Sequence, residues 1–336
     1  MIRTAIIGCG AISQTHLHAI QKIGKAEIIA CCDINSERAC KFAAQSGGKP
    51  YTDYKDMIIQ MKPDIVHICT PHYLHVPMAS FAVTSGCDVV MEKPAGLTAE
   101  EAEDLAETCK NTSQRAIVCF QNRYNPSTLA VQEIINEGTL GRIIGTKAIV
   151  TWCRREKYYT ESGWRGKMDT EGGGVLINQS IHTLDLMQYL AGKVDSVKAN
   201  IDRRLLGDYN DVEDTADMTL FFESGATGVF YATVCHTSDS PIELEINMEK
   251  GTLLIKDNKA YIVKDGKYEV IANDFPPDNP EKAYWGASHK ELIERFYNGF
   301  EKRLPSEIDI TEGLKVSKII DAARKSSEIR SGVDIE

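Results

Sequence analysis

The sequence predicts a two-part α/β protein: a doubly wound parallel sheet at the N-terminus, then an α/β domain built on a large, mostly antiparallel open sheet. Three observations carry this. Strand and helix patterns alternate through the first third of the chain. The strands there are short unbroken apolar runs, such as Ile65-Val66-His67-Ile68-Cys69, as expected for a sheet covered on both faces. After Phe120 the pattern changes to longer strands that alternate apolar and polar residues.

Taken in order, the first part reads as strand 2–7, helix 12–23, strand 27–32, helices 36–46 and 54–61, strand 64–69, helix 74–85, strand 87–91, helix 99–111 and strand 115–120. A helix at 126–137 leads into strands at 142–153, 194–204, 215–223, 226–236, 242–248, 252–256, 260–264 and 268–272, interrupted by one helix at 175–191. A polar, proline-containing loop follows at Asn273 to Lys282, and helices at 287–301 and 311–330 close the chain. The expected domains are 1–121 and 122–336, with the terminal helices free to pack back on the first.

The 336 residues are 43% hydrophobic, enough to bury the cores of two domains. A formal net charge of -10, without any block of lysines or arginines, argues against nucleic acid and anionic membranes and for a small-molecule ligand. No run reaches the length of a membrane span, and the first strand starts almost at once without a basic, apolar leader, so a cytoplasmic protein is expected. The ten cysteines contain no CxxC pair and read as small buried hydrophobes, with no metal needed.

Gly8-Cys9-Gly10-Ala11-Ile12-Ser13 follows the first strand and opens a helix, the context in which a GxGxxG turn binds a dinucleotide. Gly8 allows the tight turn, Gly10 lets a pyrophosphate approach, and Ser13 stands where the third glycine is usual. Asp33 ends the second strand, where a carboxylate accepts from an adenosine ribose and repels a 2′-phosphate. NAD is therefore favoured, while Arg38 keeps NADP open. Asp33 alone would equally serve as a helix cap. Thr70-Pro71, with His75 after it, and Gln121-Asn122-Arg123 also follow strand ends; for the former, a plain turn is the competing reading. Glu92-Lys93-Pro94 ends another strand, and the proline holds Lys93 in extended backbone at the ligand edge of the sheet.

Three glycines, 172–174, precede a helical pattern in which Asn178, His182 and Asp185 recur at i, i+4 and i+7 and share one face. Upstream, Trp152 through Tyr158 and Tyr159 to Trp164 and Arg165 is rich in aromatic and guanidinium groups. It reads equally as a carbohydrate-binding wall, including Tyr158, Trp164 and Arg165, or as a surface strand edge.

Together, Gly8-x-Gly10, Asp33, Thr70-Pro71 with His75, Glu92-Lys93-Pro94, Asn122-Arg123 and the triple-glycine helix with His182 resemble the Gfo/Idh/MocA oxidoreductases. The resemblance implies a Rossmann domain and an open-sheet domain that often forms dimers or tetramers, so a homodimer or homotetramer is expected. It also implies NAD(P)-dependent chemistry at a carbinol of a sugar, cyclitol or derivative. It assigns catalysis to Lys93 and His182, cofactor contact to Gly8, Gly10, Ala11, Ile12, Asp33, Thr70, Pro71, His75, Glu92, Lys93 and Asn122, and substrate contact to Lys93, Arg123, Asn178 and His182. The peptide before Pro94 is similar to one often cis in relatives. Many members carry aspartate at the position of Asn178; asparagine does not titrate, so proton transfer falls to His182 or Lys93. A glycoside-processing enzyme using NAD transiently and a non-catalytic dinucleotide sensor are the competing readings.

Overall fold

A computed structural model describes residues 1–275 and 288–335. The chain divides into two compact units, Met1–Cys119 with Ser288–Lys315, and Phe120–Ala287 with Val316–Glu336. In the first, β1 (Ile2–Ile7), α1 (Ala11–Ile23), β2 (Ala26–Cys32), α2 (Ser36–Ser46), β3 (Lys49–Tyr51), α3 (Tyr54–Met61), β4 (Ile65–Ile68), α4 (His75–Thr84), β5 (Asp88–Met91), α5 (Ala99–Lys110) and β6 (Ala116–Val118) follow one another. All six strands are parallel, in the order β3-β2-β1-β4-β5-β6. The direction of winding reverses between β1 and β4, and the carboxyl ends beside that reversal are where open α/β sheets take their ligands. The central strands are buried on both faces: Ala5, Ile6, Ile65, Val66, Val89 and Val90 are fully enclosed.

The second unit holds α6 (Pro126–Glu137), β7 (Ile143–Thr151), the short helices α7 (Glu156–Thr160) and α8 (Met168–Glu171), α9 (Ile181–Ala191), β8 (Val194–Asp202), β9 (Thr215–Phe222), β10 (Thr227–Thr233), β11 (Glu243–Met248), β12 (Gly251–Lys256), β13 (Lys259–Lys264) and β14 (Lys267–Asn273). After α10 (His289–Asn298) in the first unit, α11 (Ile310–Ile329) and β15 (Val333–Asp334) end the chain. The nine strands are ordered β14-β13-β12-β11-β7-β10-β9-β8-β15. Every pairing is antiparallel except β7 with β10. Alternate burial along β7 and β10 matches the period-two pattern of their sequences.

Two expectations change. The helix expected over 175–191 is broken: Val175–Gln179 forms one wide π turn, Ser180 separates it from α9, and the Ser180 N–H reaches back to Val175 O at 2.8 Å. The extra residue shifts the phase, so Asn178 does not stack one α-turn before His182. The strand β3 was not expected, because Lys49-Pro50-Tyr51 has no apolar run and is a strand only through pairing with β2. Most of the expected loop from Asn273 to Lys282 lies outside the described residues. All ten cysteines are free, and Cys31, Cys32, Cys69, Cys87 and Cys119 sit in the core as small apolar side chains.

Candidate active site

In the first unit the glycine turn follows β1 directly. Gly8 has φ 89° and a Cβ there would lie 2.6 Å from Cys69 O, so only glycine fits. Nothing lies within 4 Å of where a Cβ on Gly10 would point. The α1 N-terminus has neither a side-chain cap nor an acidic residue in its first turn, which leaves its N–H groups and dipole for an anion. Ser13 is fully buried and turns its hydroxyl back to Gly10 O at 2.7 Å, so helix and strand stay close without the third glycine.

Asp33 is 8% exposed; it accepts from Cys9 N at 3.0 Å and Asn35 N at 2.8 Å, and Arg38 Nη2 lies 3.2 Å away. The carboxylate thus stiffens the glycine turn and marks the end of β2. Thr70 Oγ1, at the end of β4, is buried without a hydrogen-bond partner among the described residues. Open space at Gly10, an uncapped helix and an orphaned hydroxyl fit a dinucleotide laid along this edge.

Lys93 follows β5, is half-buried, and is joined to Pro94 by a cis peptide. Thr98 caps α5 by accepting from Glu101 N, and Glu101 answers by accepting from Leu97 N at 2.8 Å, so the loop carrying Lys93 is fastened to the helix.

Two residues expected at the cofactor have other work. Both His75 nitrogens face carbonyls, Nδ1 at Pro94 O and Nε2 at Thr70 O, each 2.9 Å away. His75 therefore braces the two strand-end loops against each other. Glu92 points into the core, because successive side chains at a strand end face opposite sides. There it accepts from His16 Nε2 at 3.0 Å and His289 Nε2 at 3.2 Å.

The protons around Glu92 can be assigned. Burial holds His16 and His67 below their usual pKa, so both are neutral. An ionised Glu92 requires His16 to carry its proton on Nε2, and His16 Nδ1 then accepts from His67 Nδ1 at 2.7 Å. His67 Nε2 in turn accepts from the Tyr297 hydroxyl at 2.8 Å. Every link is satisfied with one buried negative charge, on Glu92. Although burial pushes that carboxyl up, the His16 and His289 donors outweigh it and hold it well below the carboxylate range. His16, Glu92 and Cys119 also bring ligand-type atoms within 4.8 Å of one another; burial and the Glu92 charge hold the Cys119 thiol protonated.

In the second unit, Gln121–Tyr124 forms a tight turn in which Asn122 Oδ1 is buried without a partner among the described residues. Arg123, expected at the substrate, is 2% exposed and forks onto Asp185, with Nε–Oδ2 at 2.8 Å and Nη2–Oδ1 at 2.5 Å, while its guanidinium covers the Tyr189 ring at 4.4 Å. It is an internal clamp on α9, and Asp185 answers it with both oxygens. His182 is half-buried, edge-on to Phe120 with ring centroids 5.9 Å apart.

Gly174 explains the glycine run: a Cβ there would lie 1.9 Å from Glu213 O, which accepts from Val175 N. Asn178 Nδ2 donates to Tyr158 Oη at 3.2 Å and to Glu171 Oε1, and Gln179 Nε2 donates to the same phenol oxygen at 3.1 Å. Arg165 stacks on Tyr158 at 4.4 Å and on Trp164 at 5.0 Å. Tyr158 and Arg165 border an open hollow of about 510 Å³ together with Arg154, Arg155 and Lys157. Glu171 carried no sequence signal beyond being the acid before the glycines, and the partners of Glu92 come from α1 and α10, too far apart in sequence to be read together.

Residues 2–120 match the family described as "Oxidoreductase family, NAD-binding Rossmann fold", and residues 128–254 match the "GFO/IDH/MocA C-terminal domain". The chain belongs to the Gfo/Idh/MocA oxidoreductases. Among relatives, it is 25% identical to D-glucoside 3-dehydrogenase of Escherichia coli (strain K12), over 99% of this chain and 97% of that protein. It is 26% identical to levoglucosan dehydrogenase of Pseudarthrobacter phenanthrenivorans, over 90% of this chain and 88% of that one. The structure of the WlbA dehydrogenase from Bordetella pertussis in complex with NADH and UDP-GlcNAcA superposes with a TM-score of 0.86 at 28% identity, covering 100% of this chain and 99% of that one. No described helix is long and apolar enough to cross a membrane.

Proposed function

We propose that the protein is an NAD(P)-dependent dehydrogenase acting on a secondary carbinol of a sugar, cyclitol or sugar derivative. Lys93, half-buried at the carboxyl edge of a sheet whose glycine turn suits a dinucleotide, is the observation that carries this reading. NAD, when bound, accepts the hydride. Gly8, Gly10, Ala11, Ile12, Asp33, Thr70, Pro71, Lys93 and Asn122 hold it, with Asp33 on the adenosine ribose and favouring NAD over NADP. The Lys93 ammonium stabilises the negative charge that develops on the carbinol oxygen, and His182 accepts the hydroxyl proton. Tyr158, Trp164, Arg165 and Asn178 receive the substrate, an assignment supported by the paired aromatic and guanidinium faces beside the hollow. Carbohydrate names among the relatives support the substrate class. The protein acts in the cytoplasm as a homodimer or homotetramer, and the exposed Ile144, Phe221 and Val229 of the open sheet support pairing of copies.

The test is purified protein with NAD and a panel of sugars, inositols, sugar acids and glycosides, with NADH and product followed together. NADH rising in step with an oxidised product is expected. Product without NADH would replace this reading with transient redox catalysis, and neither would leave a dinucleotide sensor. Lys93→Ala should lower turnover at least a thousandfold while NAD still binds; an active variant would remove Lys93 from the chemistry.

A further inference from the structure

Asn178 cannot titrate, but a carboxyl is in direct contact with it. Glu171 ends α8 and is fully enclosed. Its Oε2 accepts from Gly166 N at 2.5 Å and its Oε1 from Asn178 Nδ2. Both oxygens thus face N–H donors, an arrangement that suits the ionised acid. A proton on Oε1 would meet the Asn178 amide hydrogens head-on. Turning the amide over relieves this, because Oδ1 then accepts the proton. Asn178 also donates to Tyr158 Oη, so the inversion carries to the phenol that borders the hollow.

Resting on the dehydrogenase reading above, we infer that Glu171 is the positioning residue of this site: ionised, it fixes Asn178 with Oδ1 as the acceptor for a substrate hydroxyl, and protonated, it inverts the amide and presents a donor. The proton involved is Glu171's own and exchanges with solvent; the hydride and the carbinol proton follow the route already given.

The environment sets where the switch lies. Burial pushes the Glu171 carboxyl up to about 7, against the lowering effect of the Gly166 N–H, the Asn178 amide and the Arg165 guanidinium, and Glu213 adds to the upward push. The phenols of Tyr158 and Tyr159 also face it, and both stay protonated because burial raises them. The carboxyl therefore changes state within the neutral range.

A swap of the two groups tests this. In the wild type, kcat/KM for carbinol oxidation should fall below pH 7 with a proton from Glu171 in addition to any from His182. Glu171→Gln should remove that added proton from the profile and lower kcat/KM about tenfold at pH 8. Asn178→Asp alone should lower it at least as much, by setting two carboxyls together. The double variant, carrying Glu171→Gln and Asn178→Asp, restores one carboxyl and one amide in exchanged places and should return kcat/KM to within about threefold. An unchanged pH profile in Glu171→Gln, or no recovery in the double variant, would overturn the inference. Thermal melting of the same four proteins from pH 5 to 9 gives a second readout that needs no substrate: a pH-dependent coupling between the two positions is expected, and its absence overturns the inference whatever the protein turns over. Coupling present with no turnover of any compound would instead overturn the dehydrogenase reading.

Discussion

Glu92 and Glu171 are both buried, yet their carboxyls move in opposite directions. Glu92 lies at the end of β5 among His16, His289 and the chain of donors behind them. Glu171 lies at the end of α8 with one peptide N–H and one carboxamide. Burial pushes each carboxyl up; two imidazole donors outweigh that push at Glu92, whereas at Glu171 the push prevails and the group sits at about 7. Depth alone therefore does not set ionisation. A carboxylate backed by a connected, fully satisfied network is a permanent charge, and one with weaker partners is exchangeable near neutrality.

The largest effect should come from breaking the permanent charge. Glu92→Gln places amide hydrogens against imidazole N–H groups and loses two charged hydrogen bonds, at a cost of about 4 kcal/mol. Because the folded carboxyl lies below its ordinary 4.5, its contribution is present above that pH and lost as the pH falls. Calorimetric melting should show the variant's deficit in full at pH 7 and shrinking below pH 4.5; a deficit that grows on acidification would reverse the assignment.

Glu171→Gln should behave oppositely. The folded carboxyl is raised from 4.5 to about 7, so the wild type loses stability from this group as the pH rises through that window. Relative to the wild type, the variant should gain on the order of 3 kcal/mol between pH 4.5 and 8. A difference that does not vary with pH would place Glu171 with Glu92. The smallest effect is His289→Phe, which takes one of two donors from Glu92 and should cost about 2 kcal/mol at pH 7. Equal costs for His289→Phe and Glu92→Gln would mean that His16 adds nothing.

The Rossmann elements were legible because their signals are local: apolar runs for β1, β4 and β5, and glycine at the turn after β1. The placement of Lys93 and Asp33 at strand ends was legible for the same reason. What escaped were pairings made by tertiary contact. Nothing near Glu92 announces that its partners come from α1 and α10, and Arg123 beside Asn122 looks like a ligand contact until Asp185 is seen beneath it. His75 falls in the same class, a polar residue at the right edge whose nitrogens both face loop carbonyls. The π turn at Val175–Gln179 is invisible to periodicity, since one extra residue leaves the apolar pattern almost unchanged.

The single parallel pairing in the second sheet has a kinetic consequence. The β8-β9-β10 and β11-β12-β13-β14 segments are meanders whose strands neighbour one another in sequence, joined by short loops except for residues 203–214 between β8 and β9. They meet only through β7, which pairs Gly145 with Thr227 on one side and with Asn247 on the other. Strand β7 is the first of this sheet in the chain, yet both of its neighbours come after it, one from each meander. The contacts that seat β7 are therefore distant in sequence, the kind whose loop-closure entropy slows folding.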